Sequence, residues 1–203
     1  MTVGNFAVEG NPFSVAPSRD GAAIFVTTNV DSVYRIELGD RRVSATQGTD
    51  GAAAQGLDVD RATGRLYVST RAAGTVLELD PRTLAVIRRF APGGMTQEPA
   101  VASGSRELWV ANERGPVSVI SLATGEVSEV NVDGATWGLA VTPDEQQVWV
   151  GLIEDGVVAV IDRASRQVVR RIATRGRPRR IRFTRAGDVA VITNEQGWVT
   201  IVR

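Results

Sequence analysis

The stretch Thr136–Asp162, TWGLAVTPDEQQVWVGLIEDGVVAVID, reads as three short β-strands separated by two turns. Gly138–Thr142 is short and apolar. Pro143-Asp144-Glu145 is a turn signal, because proline presets the backbone angle of the corner and aspartate caps it. Gln147–Leu152 is a β-branched and aromatic run, Glu154-Asp155-Gly156 is a second turn, and Val157–Ile161 is a further run of valine and isoleucine. Strands this short, with a turn between each pair, predict an antiparallel meander. No apolar stripe of helical period runs through the stretch.

Working outward, the rest of the chain aligns on this unit. The residues equivalent to Thr136 are Pro12, Ala54, Thr96 and Pro178, at spacings of 42, 42, 40 and 42. The second strands fall at Ala23–Thr28, Arg65–Thr70, Glu107–Asn112, Gln147–Leu152 and Asp188–Asn194, with apolar centres IFV, LYV, LWV, VWV and VAV. Third strands follow as SVYRIE, TVLELD, PVSVIS, VVAVID and WVTIV. Fourth strands fall at Arg41–Thr46, Leu84–Phe90, Glu126–Val132 and Arg166–Ala173. A period near 42 made of strands predicts the blades of a β-propeller rather than helical repeats. The expectation is a single all-β domain over 1–203, a five-bladed β-propeller with four antiparallel strands per blade. The fifth repeat lacks a fourth strand of its own, and Thr2–Val8 (TVGNFAV) stands in its register, Phe6 landing on Ile172. The ring is therefore expected to close by pairing this N-terminal strand with the last blade, which removes two unpaired sheet edges. A piece of a longer propeller is the alternative.

The repeat resembles the YVTN family of β-propellers, whose unit runs P-x-G-I-A-V-T-P-D-G-x-x-L-Y-V-T-N followed by G-T-V-x-V-I-D and a T-G turn. The pieces that carry the resemblance are TWGLAVTPDEQQVWV, GRLYVSTRAAGTVLELDPRT, VANERGPVSVISLATGEV and PSRDGAAIFVTTN. Together the degenerate copies cover essentially the whole chain. Familiar members commonly have seven blades, so a count of five departs from the pattern. Related propellers include lactonases, which often hold a divalent cation, and a lyase that relies on histidine. The motif specifies the blade and says little about activity.

Composition removes several chemistries. All 23 basic residues are arginine, and the chain has no lysine, histidine or cysteine. Disulfides, thiolate or imidazole metal sites, a Ser–His–Asp triad and Schiff-base or P-loop lysine chemistry are therefore excluded. No cofactor and no metal are expected. No stretch has the apolar length of a membrane span, and residues 1–12 lack the layout of a signal peptide, so no membrane association is expected and the compartment is open.

Charge is balanced overall but segregated. Residues 1–162 hold 12 arginines against 21 acids, net −9, and residues 163–203 hold 11 against 2, net +9. Ten arginines lie between Arg163 and Arg185 without an acid among them. Such a run could contact phosphates, but Phe183 is the one aromatic residue among these arginines, so a solvated rim is the favoured reading, a protein contact, self-association included, comes next, and nucleic acid is not expected.

In a propeller the first strand of each blade lies nearest the axis, so its opening residues line a channel mouth. One column there reads Phe13, Gln55, Gln97, Trp137, Arg179; the next reads Ser14, Gly56, Glu98, Gly138, Arg180; the fourth reads Ala16, Asp58, Ala100, Ala140, Arg182. Phe13, Gln55, Gln97, Glu98, Trp137, Arg179 and Arg180 are the candidate ligand-binding residues, with a small anion or a protein as partner. The competing reading is that the first column plugs a narrow channel and that Asp58, Glu98, Arg180 and Arg182 form ion pairs between blades. No catalytic motif is present. The favoured function is a non-catalytic binding or interaction scaffold. A lactonase- or lyase-like enzyme at the channel mouth is the alternative, and phosphate or nucleic-acid binding through Arg163–Arg185 the third reading.

Overall fold

Both faces of most central strands are apolar, so each sheet must be covered on both sides, and stacking sheets around an axis does this. The computed structural model describes residues 5–113 and 115–203. Among them lie nineteen strands and no helix, grouped as five antiparallel sheets. Blade one is β1 (Pro12–Pro17), β2 (Ala23–Thr28), β3 (Ser32–Glu37) and β4 (Arg42–Gly48). Blade two is β5 (Ala54–Val59), β6 (Leu66–Thr70), β7 (Thr75–Leu79) and β8 (Val86–Phe90). Blade three is β9 (Thr96–Ala102), β10 (Glu107–Asn112), β11 (Val117–Ser121) and β12 (Val127–Val130). Blade four is β13 (Thr136–Val141), β14 (Gln147–Leu152), β15 (Val157–Asp162) and β16 (Gln167–Ala173). Blade five is β17 (Pro178–Phe183), β18 (Ala190–Asn194) and β19 (Trp198–Val202). The chain is an all-β, five-bladed propeller with strands in meander order.

Sequence dictates the turns locally. Between β7 and β8, Asp80 accepts the backbone N–H groups of Arg82 and Thr83, each at 2.9 Å. Asp60 and Asp162 do the same work with Thr63 and Ser165, whose hydroxyls donate to them at 2.6 Å. The fourth residue after each aspartate is left-handed: Gly64, Leu84 (φ 59°) and Arg166 (φ 60°). Glycine accepts that conformation freely, whereas leucine and arginine do so at a cost. Leu84 offsets it by complete burial and Arg166 by pairing with Glu107 at 2.6 Å.

The strand ladders correct one register. Phe25, Tyr67, Trp109 and Trp149 pair with the fourth-column residues Ala16, Asp58, Ala100 and Ala140. In blade five the partner of Arg182 is Val191, so the apolar triplet is Ala190-Val191-Ile192, one residue beyond the VAV read from sequence. A one-residue slip exchanges the two faces of a strand, so this places Val191 in the aromatic column.

Four joints are filled by shared hydrophobic clusters. Phe25 and Leu57 belong to the joint of blades one and two, Tyr67 and Leu108 to that of two and three, Trp109 and Leu139 to three and four, and Trp149 and Ile181 to four and five. No cluster spans blades five and one among the described residues. On that side Phe6 and Val8 pack on the Val26, Tyr34 and Ile36 cluster of blade one. Of the N-terminal strand expected at Thr2–Val8, residues 1–4 lie outside those described, and 5–8 form no ladder. Phe6 nevertheless covers blade one as Ile172, its register equivalent, covers the blade-four and blade-five cluster.

Candidate functional site

The inner strands β1, β5, β9, β13 and β17 surround the channel, and each irregularity in their pairing falls near the strand's beginning, between Pro12 and Ser14, Ala54 and Leu57, Thr136 and Leu139, Pro178 and Arg180, and opposite Val110–Asn112 for β9. Bulges of this kind re-aim side chains. The first two columns read from sequence therefore sit on irregular backbone at the upper mouth, where the inner strands start.

Those residues are engaged with one another. The Arg179 guanidinium stacks 3.7 Å from the Trp137 ring centroid and pairs with Glu195. Arg180 stacks 4.9 Å from the Phe13 ring, donates to the Phe13 carbonyl at 3.3 Å and pairs with Glu98. Gln97 is buried and donates to Glu113 at 2.8 Å, which Arg71 also meets at 2.8 Å. Gln55 is buried, its carbonyl accepting from Thr27 at 2.6 Å. Gln97 Oε1 and Arg179 Nη1 are buried without a hydrogen-bond partner among the described residues. This mouth is narrow and interlocked.

The open space lies at the other end. A cavity of about 650 Å³ occupies the channel where the inner strands finish. All five fourth-column residues line it, Asp58 and Arg182 among them, and Glu98 is the one residue of the seven candidates that does. Glu98 is 3% exposed and bridges blade three to blade five, holding Arg180 and, at 2.9 Å, Arg182. Asp58 ties blade two to blade three: its carboxylate accepts the N–H groups of Val59 (2.9 Å) and Val101 (2.8 Å). Desolvation pushes its carboxyl up to about 6, with those two hydrogen bonds and Arg182 opposing the shift. Glu145, on the cavity rim, accepts from the Gly104 N–H at 3.0 Å. Arg61 and Arg185 line the same cavity with no acid paired to either among the described residues. The acids at this end are thus tied and two cations are free. Three carboxylates and three arginines line this end, and of the arginines only Arg182 is paired with a carboxylate among the described residues.

The raised Asp58 titration gives a prediction with a definite sign. A carboxyl that titrates higher in the folded state holds its proton there after the unfolded chain has lost it, so stability falls as pH rises from about 4 to about 6. Asp58→Asn is expected to lose this component. The check is the difference between wild-type and variant unfolding free energies across that window. A difference independent of pH removes the assignment.

The arginine run is largely structural. Arg163 and Arg166 both reach Glu107 of blade three, at 3.1 and 2.6 Å, and Arg166 lies 5.0 Å from the Trp109 ring. Arg170 covers Trp149, Arg171 donates to the Val132 carbonyl, and Arg177 pairs with Glu154 and Glu195. These acids lie outside the run, so charge segregated along the chain becomes charge paired across blades. Sequence singled out Asp58 and Arg182, but a channel cavity at the lower mouth, with Arg61 and Arg185 beside it, needed the fold. Among the described residues no group of three or more His, Cys, Asp or Glu is placed to hold a metal, and no helix is long and apolar enough to cross a membrane.

Solved structures carry the same arrangement. The β-propeller domain of Myceliophteria thermophila Cps50 (Swd1) superposes with a TM-score of 0.84 at 13% identity, over 97% of this chain and 67% of that one. The fold is a β-propeller. Kuenenia stuttgartiensis hydrazine synthase superposes with a TM-score of 0.82 at 19% identity, over 95% of this chain and 58% of that one, so the propeller spans under two thirds of that protein's length. At such identities the likeness is one of fold. No protein-family model and no curated protein sequence matches the chain.

Proposed function

We propose that this propeller is a non-catalytic binding scaffold of the YVTN-repeat type that takes a small anionic ligand, a carboxylate or phosphate, into the lower end of its channel. The observation that carries this reading is the pair of unpaired arginines, Arg61 and Arg185, on a cavity whose acids are already tied. A volume near 650 Å³ lies within the range of small-molecule sites. Arginine's planar fork suits carboxylate and phosphate oxygens, and Arg182, oriented by Glu98, adds a third cation at the cavity wall. With no histidine, cysteine or lysine in the chain, the cavity has no imidazole, thiolate or amine nucleophile.

Isothermal titration with citrate and with inorganic phosphate at low ionic strength tests it. Binding is expected, weakened by more than about tenfold in Arg61→Glu/Arg185→Glu. No binding of either anion, or equal affinity in the variant, overturns the reading.

A further inference from the structure

The lower cavity has an apolar wall as well as charges. Val15, Leu57, Leu139 and Ile181 hold the same ladder position on the inner strands β1, β5, β13 and β17. Leu57, Leu139 and Ile181 are 2%, 1% and 0% exposed, each closed into a joint between blades. Val15 is 59% exposed and lines the cavity. It stays open although Phe6 and Val8 pack on Val26, Tyr34 and Ile36 of the same blade. Pro17, two residues on, is exposed, and Pro143 and Phe183 from blades four and five are half-buried, so apolar surface lines the same space from three blades. The charges limit what can enter. Asp58, Glu98 and Glu145 share the lining with Arg61, Arg182 and Arg185, so it is balanced as a whole. A multiply charged anion would gain from the two unpaired guanidinium groups but meet three carboxylates. A single carboxylate can use those arginines while the rest of its molecule lies on apolar surface.

Given the anion site proposed above, we infer that its ligand is a monocarboxylate with an apolar body, an aliphatic or aromatic acid, whose hydrocarbon lies on Val15 and whose carboxylate is held by the unpaired arginines. Two contributions then add. Pairing with arginine is available to every anion, and the neighbouring acids oppose it more as the ligand's charge grows. Burial of hydrocarbon depends on the body alone, at about three- to fourfold in affinity for each methylene taken out of water. A cavity of about 650 Å³ has room for a chain of several carbons. Mixed walls of this kind, mostly apolar with a few polar groups that fix orientation, are how small-molecule sites are built.

Isothermal titration of the full chain with acetate, butyrate, hexanoate and octanoate at low ionic strength tests it. Affinity is expected to rise along the series, octanoate binding more than about tenfold more tightly than acetate and more tightly than citrate or phosphate. Val15→Ser changes an exposed position, so it should fold with unchanged circular dichroism. It should weaken octanoate by about threefold or more and leave acetate unchanged. Ile201→Ser, at an equally exposed valley of apolar surface outside the cavity, should change neither. Octanoate no tighter than acetate, with citrate or phosphate still bound, overturns the apolar body and leaves the anion site standing. An octanoate preference that survives Val15→Ser, or is lost equally in Ile201→Ser, also overturns it. Binding of no anion at all removes both the body and the site.

Discussion

Gly138→Ala is expected to destabilise the propeller by about 3 kcal/mol or more, a large effect for one methyl group. Gly138 sits in β13 where the neighbouring inner strand β17 passes closest. A Cβ at this position would overlap the Arg179 carbonyl oxygen, and it would lie 2.6 Å from the carbonyl carbon and 3.2 Å from the Arg180 nitrogen. The obstacle is backbone, which cannot rotate away as a side chain could. Moving it would shift Arg179 from Trp137 and Arg180 from Phe13 and Glu98 together. Gly48→Ala is the control, since it lies in β4 with nothing within 4 Å of the added Cβ, and it should be near neutral or slightly stabilising. Urea unfolding of both variants measures the contrast. Similar midpoints for the two would reject the tight approach of blades four and five.

Glu98→Ala is expected to lose about 3 kcal/mol, because removing one partner of a buried ion pair strands the other. Here one nearly inaccessible carboxylate serves two guanidinium groups from blade five, so its loss leaves Arg180 without a carboxylate partner and Arg182 with only the more distant attraction of Asp58. Solvent reaching Arg182 through the cavity softens the effect, which keeps the expectation at the lower end of the range for buried pairs. A double-mutant cycle with Arg182→Ala should show a clear positive coupling. Melting curves and urea titrations of the four proteins supply it. A Glu98→Ala variant as stable as wild type would show that the bridge contributes nothing to joining blades three and five.

Much of the fold was readable because a repeat states its pattern several times. The runs AIFVTT, ELWVAN and QVWVGL mark their strands without ambiguity, and β2, β10 and β14 occupy the residues expected. The fifth copy is the most degenerate, and there the strand centre shifts by one residue from that expected, because alternation alone does not distinguish Ala190 from Val191 when Val189 to Ile192 are all apolar. The site was less legible. Column reasoning assumed regular strands, whereas the inner strands bulge where they begin, so Phe13, Trp137, Arg179 and Arg180 interlock at the upper mouth while the cavity opens at the lower one.

The sequence by itself determined the blade: strand lengths, turn chemistry, the period and the absence of lysine, histidine and cysteine all follow from local residue choices. Tertiary structure alone decided what the charges do. Glu98 finds Arg180 and Arg182 more than eighty residues away, Glu107 draws in Arg163 and Arg166, and Arg61 and Arg185 are left facing the cavity. The physical reason is that strand and turn preferences act over a few residues, whereas the energy of a charge depends on which distant groups and how much water surround it.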